Sequence, residues 1–110
     1  MTITTFGYTP GGTHGTIGAT VMFRALEHVY RQSILEQLSR TSETSIQELC
    51  RHILTVTNAP TSEHHICLSL YHHHLPALQD LALIDYDDRS GMVSLLIDSE
   101  MLKPYLDLLE

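Results

Sequence analysis

At 110 residues, with 43% hydrophobic and 17% charged side chains, the chain is sized for one globular domain with one core. Thirteen acidic residues against six basic ones give a formal charge of -7, which argues against a protein that grips phosphates through a broad Lys/Arg surface. No window approaches the ~18 uninterrupted apolar residues of a membrane span, and Met1 to Gly18 lacks the basic cluster and apolar run of a secretory signal.

The expected compartment is therefore the reducing cytoplasm, with no membrane partner. Cys50 and Cys67, each without a close cysteine neighbour, match no paired-Cys zinc spacing and imply no disulfide framework. A domain this small hides only around two-thirds of its unfolded surface, so a second copy covering more apolar area is expected.

Residues 1–18 are rich in Gly and Thr, show no sustained periodicity and read as a flexible tail. From Ala19 the recurrence of Phe23, Leu26, Tyr30, Ile34 and Leu38 at steps of three and four predicts one amphipathic helix ending near Arg40 and Thr41. After the loop Thr41 to Thr44, Ser45 and Glu48 have capping-box spacing, and Ile46, Leu49, Cys50, Ile53 and Leu54 make the buried stripe of a second helix. Pro60 stops it.

Thr61 or Ser62 is placed to cap a third helix, with an inner stripe of Cys67, Leu70, Tyr71, His74, Leu75, Leu78 and Leu81. Its outer side carries His65, Leu68, Ser69, His72, Pro76 and Gln79. Pro76 removes a backbone donor and crowds the carbonyl of His72, which predicts a kink or break between those residues. Two strand-like runs, Leu83 to Tyr86 and Met92 to Leu96, flank the polar turn Asp87 to Gly91 and read as a hairpin. Ser99 then opens a short helix whose stripe is Leu102, Tyr105, Leu106 and Leu109. A helix this short has to dock on something.

Helix, helix, helix, hairpin, helix is the order of a winged helix-turn-helix domain with an added C-terminal helix. The fold class is thus mostly α with a β-hairpin, divided into a tail (1–18), the winged domain (19–98) and a docking or dimerisation helix (99–110).

The run from Leu70 to Asp87, LYHHHLPALQDLALIDYD, resembles the recognition helix and wing entrance of ArsR-like winged-helix regulators. Leu68 to Pro76 together with Ile84 to Asp87 is similar to the core signature of small winged-helix proteins abundant in haloarchaea. The likeness covers roughly residues 28–96, is specific in the third helix and hairpin and loose elsewhere, and departs from the pattern at Ala82, where a glycine commonly sits.

The resemblance implies a homodimeric, cytoplasmic DNA-binding regulator of transcription, with double-stranded DNA, itself and other transcription proteins as partners. An acidic balance suits concentrated salt, where screening shrinks to a few Å and short hydrogen bonds carry more of the binding. Its third helix would enter the major groove through Thr61, Ser62, His64, His65, Ser69, His72 and His73, and its hairpin would touch the backbone through Arg89, with Arg40 and Arg51 on flanking phosphates. ArsR-like proteins dimerise through terminal helices, which points to Met22, Phe23, Leu26, Leu102, Tyr105, Leu106 and Leu109 as interface.

Two features pull the other way. Between Arg51 and Arg89 the chain has no Lys or Arg, which removes the commonest guanine contact and favours a protein-association module as the alternative. The five histidines of residues 64–74 suggest a metal-responsive repressor as a lesser alternative. Adjacent histidines diverge on a helix, however, and His65 lies two turns from His72, so no metal or other cofactor is assigned. His74, on the core stripe, is expected to be neutral and hydrogen-bonded. No phosphate loop, nucleophile elbow or HExxH pair occurs, Cys67 falls on the inner stripe as a plain buried cysteine, and neither cysteine has an obvious resolving partner. No catalytic residue is expected.

Overall fold

The computed structural model describes residues 18–58 and 60–109. In chain order the elements are α1 (Ala19–Ala25), α2 (Val29–Thr41), β1 (Glu43–Ser45), α3 (Ile46–Thr57), α4 (Glu63–Ser69), a π-helical turn (Leu70–His74), α5 (Leu75–Asp80), β2 (Ile84–Asp87), β3 (Met92–Leu95), a 3-10 turn (Ser99–Met101) and α6 (Lys103–Asp107). The chain is mostly helical with one small antiparallel sheet of order β1-β3-β2, an arrangement compatible with a winged-helix-like plan. The tail reading covers residues 1–18, of which 1–17 lie outside the described residues and Gly18 is the N-cap position of α1.

The single first helix expected from Ala19 is two helices. His28 is extended, and its ring Nδ1 accepts the Tyr30 N–H at 3.0 Å, so α2 starts afresh under its own cap. The break also rephases the apolar stripe. Met22, Ala25 and Leu26 are buried, while Phe23, which the periodicity placed on the inner face, is 65% exposed.

The segment read as a loop after α2 contains β1. Ser42, at φ 68°, turns the chain out of α2, and Glu43, Thr44 and Ser45 pair with Ser94, Val93 and Met92 of β3. Three residues carry no readable alternation, and what makes them a strand is the free edge of β3 beside them. Ser45 then caps α3, accepting the Glu48 N–H at 3.1 Å, as its spacing predicts. The Glu48 carboxylate accepts from Thr44 Oγ1 at 2.9 Å, tying the cap to β1.

Ser62, rather than Thr61, caps α4 by accepting the His65 N–H at 3.1 Å. From there to Asp80 the chain stays helical, and the expected kink at Pro76 takes the form of the π turn. Leu75 donates to the carbonyl of Leu70, five residues back. This wider turn precedes the proline ring, where the ordinary ladder would lack a donor. It also shifts the helix phase. Ile66, Leu70, His74, Leu75 and Leu78 point inward, whereas Tyr71, expected on the core stripe, is 45% exposed.

α5 ends in a Schellman turn. Leu83 N–H reaches Leu78 O at 3.1 Å, Ala82 N–H reaches Gln79 O at 2.8 Å, and Ala82 itself stands at φ 62°, the conformation for which glycine is the usual residue. The hairpin follows as expected, with Ile84 opposite Leu95 and Asp87 opposite Met92. Its turn is closed by Gly91 at φ 76° and by Asp87 Oδ1 accepting the Arg89 N–H at 3.0 Å.

One contiguous core joins Met22, Ile34, Leu35, Leu38, Leu49, Ile53, Ile66, Leu70, Leu75, Leu78, Val93 and Leu102. At the C-terminus the cap is Asp98, which accepts the Glu100 N–H at 3.0 Å, and not Ser99. α6 packs on α2, the docking its marginal length requires.

The two cysteines correct the sequence reading most directly. Cys50 of α3 and Cys67 of α4 are joined as a disulfide. Helix packing brings together side chains 17 apart in sequence, which no local spacing reveals.

Candidate nucleic-acid interface

The surface proposed by the sequence is built on the outer side of α4, the π turn and α5, with the β2-β3 turn beside it. Ser62, His64, His65, His72 and His73 are exposed, and Thr61 and Ser69 are half-buried at its edge. Ser62 Oγ is engaged as the α4 cap, and Thr61 Oγ1 lies 3.3 Å from His65 Nδ1. The caps thus hold this end of the helix in place while leaving the imidazole faces outward.

Arg89 sits at the exposed tip of the hairpin and makes no ion pair among the described residues. Its neighbours Asp85, Asp87 and Asp88 are also exposed, so the wing is net negative. Arg40 and Arg51, the flanking cations, lie 3.9 Å from Glu36 and Glu63 respectively, in exposed pairs of little strength.

Between helix and wing lies an open cleft of about 500 Å³ lined by Tyr71, His72, Pro76, Gln79, Tyr86 and Asp88. Tyr71 is edge-on to His72, with centroids 5.0 Å apart, and edge-on to Tyr86 at 6.2 Å. Gln79 Oε1 accepts the Tyr86 N–H at 3.2 Å and latches the wing to α5. Burial, then Tyr71, Asp88 and Asp87, hold the Tyr86 phenol above its ordinary pKa, so it stays a neutral donor. Sequence reasoning missed Tyr71 and Tyr86 as surface groups. For Tyr71 the available signal was Pro76, whose accommodation shifts the helical phase.

His74 is the exception in the histidine run. It is 6% exposed, its Nδ1 accepts from Arg31 Nε at 3.1 Å, and its ring lies 4.4 Å from that of His28. Burial first, then the charges of His28, Arg31 and His73, lower its pKa from 6.5 to about 4, so the ring is neutral at pH 7. Among the described residues no three His, Cys, Asp or Glu side chains converge on a common point.

The interface residues divide. Met22, Leu26 and Leu102 are buried in the chain's own core and are not available to a partner, because the break before α2 and the docking of α6 turn them inward. Tyr105 and Leu106 pack half-buried against that core, and Phe23 and Leu109 face outward. Among the described residues no helix is long and apolar enough to cross a membrane.

A family model described as "Domain of unknown function (DUF7344)" matches residues 23–94, from α1 to β3. No curated protein and no solved structure matches the chain.

Proposed function

The chain belongs to the DUF7344 family, and from that premise we propose that it is a winged-helix regulator that binds double-stranded DNA as a homodimer in the cytoplasm and modulates transcription by occupancy. The observation that carries this reading is the open outer side of α4, the π turn and α5, where His65, His72 and Gln79 are exposed, with His64 and His73 exposed as well. Imidazole and carboxamide groups offer hydrogen bonds to base edges. Arg89 at the hairpin tip supplies a backbone or minor-groove contact. The reading involves no covalent chemistry, cofactor or metal. Likeness to ArsR-like proteins supports pairing through terminal helices, now with Phe23 and Leu109 as the outward members of that set.

With so few cations on the face, affinity is expected to vary weakly with salt, because few counterions are released. The test is fluorescence anisotropy of the dimer on a duplex selected from a random library, at matched salt. His72→Ala should weaken binding by about 1–3 kcal/mol and relax preference at one base position, and Arg89→Ala should weaken it across sequences. Unchanged affinity in both variants, with the dimer intact, sinks the reading.

The acidic wing favours one second reading, a protein-association module using the same face. Asp88→Lys separates the two. It tightens DNA binding if the wing lies on phosphates and weakens capture of a basic protein partner if it does not.

A further inference from the structure

Where α3 crosses α4, two kinds of cross-link lie side by side. Cys50 is fully buried and Cys67 half-buried, and their Cα atoms are 5.5 Å apart, an ordinary cystine separation. One residue along from Cys50, Arg51 faces Glu63 at 3.9 Å, but both side chains are exposed and the pair adds little. Among the described residues the crossing is therefore held by apolar packing, one weak ion pair and one covalent bond. The pair is also asymmetric, with Cys50 sealed in the core and Cys67 a half-buried residue at its margin.

We propose that Cys50 and Cys67 form a reversible thiol-disulfide site that takes a peroxide as oxidant and a low-molecular-weight thiol as reductant, with Cys67 as the entry sulfur. Access decides which sulfur reacts, since a small reagent must reach the atom it attacks. In oxidation the Cys67 thiolate attacks the peroxide, gains one oxygen as sulfenic acid and expels hydroxide. The Cys50 thiol then condenses with it, the S–S bond forms and water leaves. In reduction a small thiolate attacks Cys67 Sγ, Cys50 departs as a thiolate and takes up a proton. A second small thiol then releases Cys67 and carries away the small disulfide. Two electrons and two protons balance in each direction.

The consequence falls on α4. It is the first stretch of the helical run that continues to Asp80, it lies at the free end of that run, and His64, His65 and Leu68 on it are exposed. Opening the bond leaves that turn of the interface held by Ile66, the Ser62 cap, the exposed Arg51–Glu63 pair and its continuation into the π turn. This inference does not rest on the DNA reading, because its test follows thiols and backbone amides only.

The experiment equilibrates the native full-length protein in glutathione buffers of graded ratio, quenches in acid, alkylates and measures intact mass, with hydrogen exchange on parallel samples. A reversible passage between unlabelled and doubly labelled protein is expected, with the transient glutathione adduct mapped to Cys67. In Cys50→Ser the adduct should accumulate on Cys67, and in Cys67→Ser the remaining Cys50 should react about tenfold more slowly or less. Amides of residues 62–69 should exchange about tenfold faster after reduction while those of β2 and β3 keep their protection, and peroxide should restore both. The midpoint of thermal unfolding should drop by roughly 10 °C on reduction. Reduction only together with loss of β2 and β3 protection, an adduct on Cys50, or failure to reclose with peroxide would each overturn the proposal.

Discussion

His72 and His74 are two residues apart in one run of histidines, yet they belong to opposite sides of the molecule. His74 points into the protein, accepts from Arg31 and is held neutral by burial, whereas His72 lies exposed beside the Tyr71 ring. Helical phase sets this division, and within the π turn that contains both only Tyr71 departs from the expected stripe, standing outside while Leu70, His74 and Leu75 stay inside. Identical side chains thus serve as scaffold or as surface according to helical phase. The inner side is expected to govern stability and the outer side recognition.

The harshest way to break this comparison is to hollow the inner side. Leu70→Ala, at a fully buried position, should cost about 2–5 kcal/mol in urea unfolding. A loss under about 1 kcal/mol would mean the inner side is not close-packed.

Acid tests His74 alone. Its folded pKa of about 4 lies below the ordinary 6.5, so the unfolded chain binds a proton that the folded chain refuses. Its contribution is therefore fully present above pH 6.5, is lost as pH falls from there toward 4, and amounts to about 1–3 kcal/mol. Urea midpoints at pH 7.5 and 5 should differ in the native chain, and His74→Phe should shrink that difference. An unchanged difference in the variant would assign the acid sensitivity to other groups.

A smaller effect, of opposite sign, is expected where the helix hands over to the wing. Ala82→Gly should stabilise by about 0.5–1 kcal/mol, since Ala82 holds a positive φ that costs an L-residue more than it costs glycine. Any loss of stability would mean that the Schellman turn is not the native ending of α5.

The smallest effect belongs to the outer side. His72→Ala should change unfolding free energy by no more than about 0.5 kcal/mol, as exposed positions usually do. A larger loss would move His72 from recognition to structure and erase the contrast with His74.

Much of this fold could be read residue by residue. Ser45 and Ser62 announce their helices because a hydroxyl before an apolar stripe satisfies an orphan N–H. Asp87 to Gly91 announces the hairpin because Asp bonds its own backbone and Gly accepts a positive φ. His74 falls inward because its spacing from Leu70 and Leu78 is helical. The break at Leu26 to His28 was not legible, since the apolar spacing runs through it and the new cap is a histidine, an uncommon choice. In the candidate site the exposed His65 and His72 were legible from phase, while the Tyr71 and Tyr86 cleft was not, because it forms only when wing and helix meet.

The sequence by itself determined the helical character of the two segments after Thr44, the capped start of α3, the hairpin and its turn, and the poverty of cations on the outer helix, all of which depend on neighbours within a few positions. Tertiary structure alone decided that Glu43 to Ser45 become a strand, that Met22, Leu26 and Leu102 face inward, and that Cys50 meets Cys67. Each of those outcomes depends on a surface contributed by a distant segment, and short-range periodicity carries no information about which distant surface arrives there.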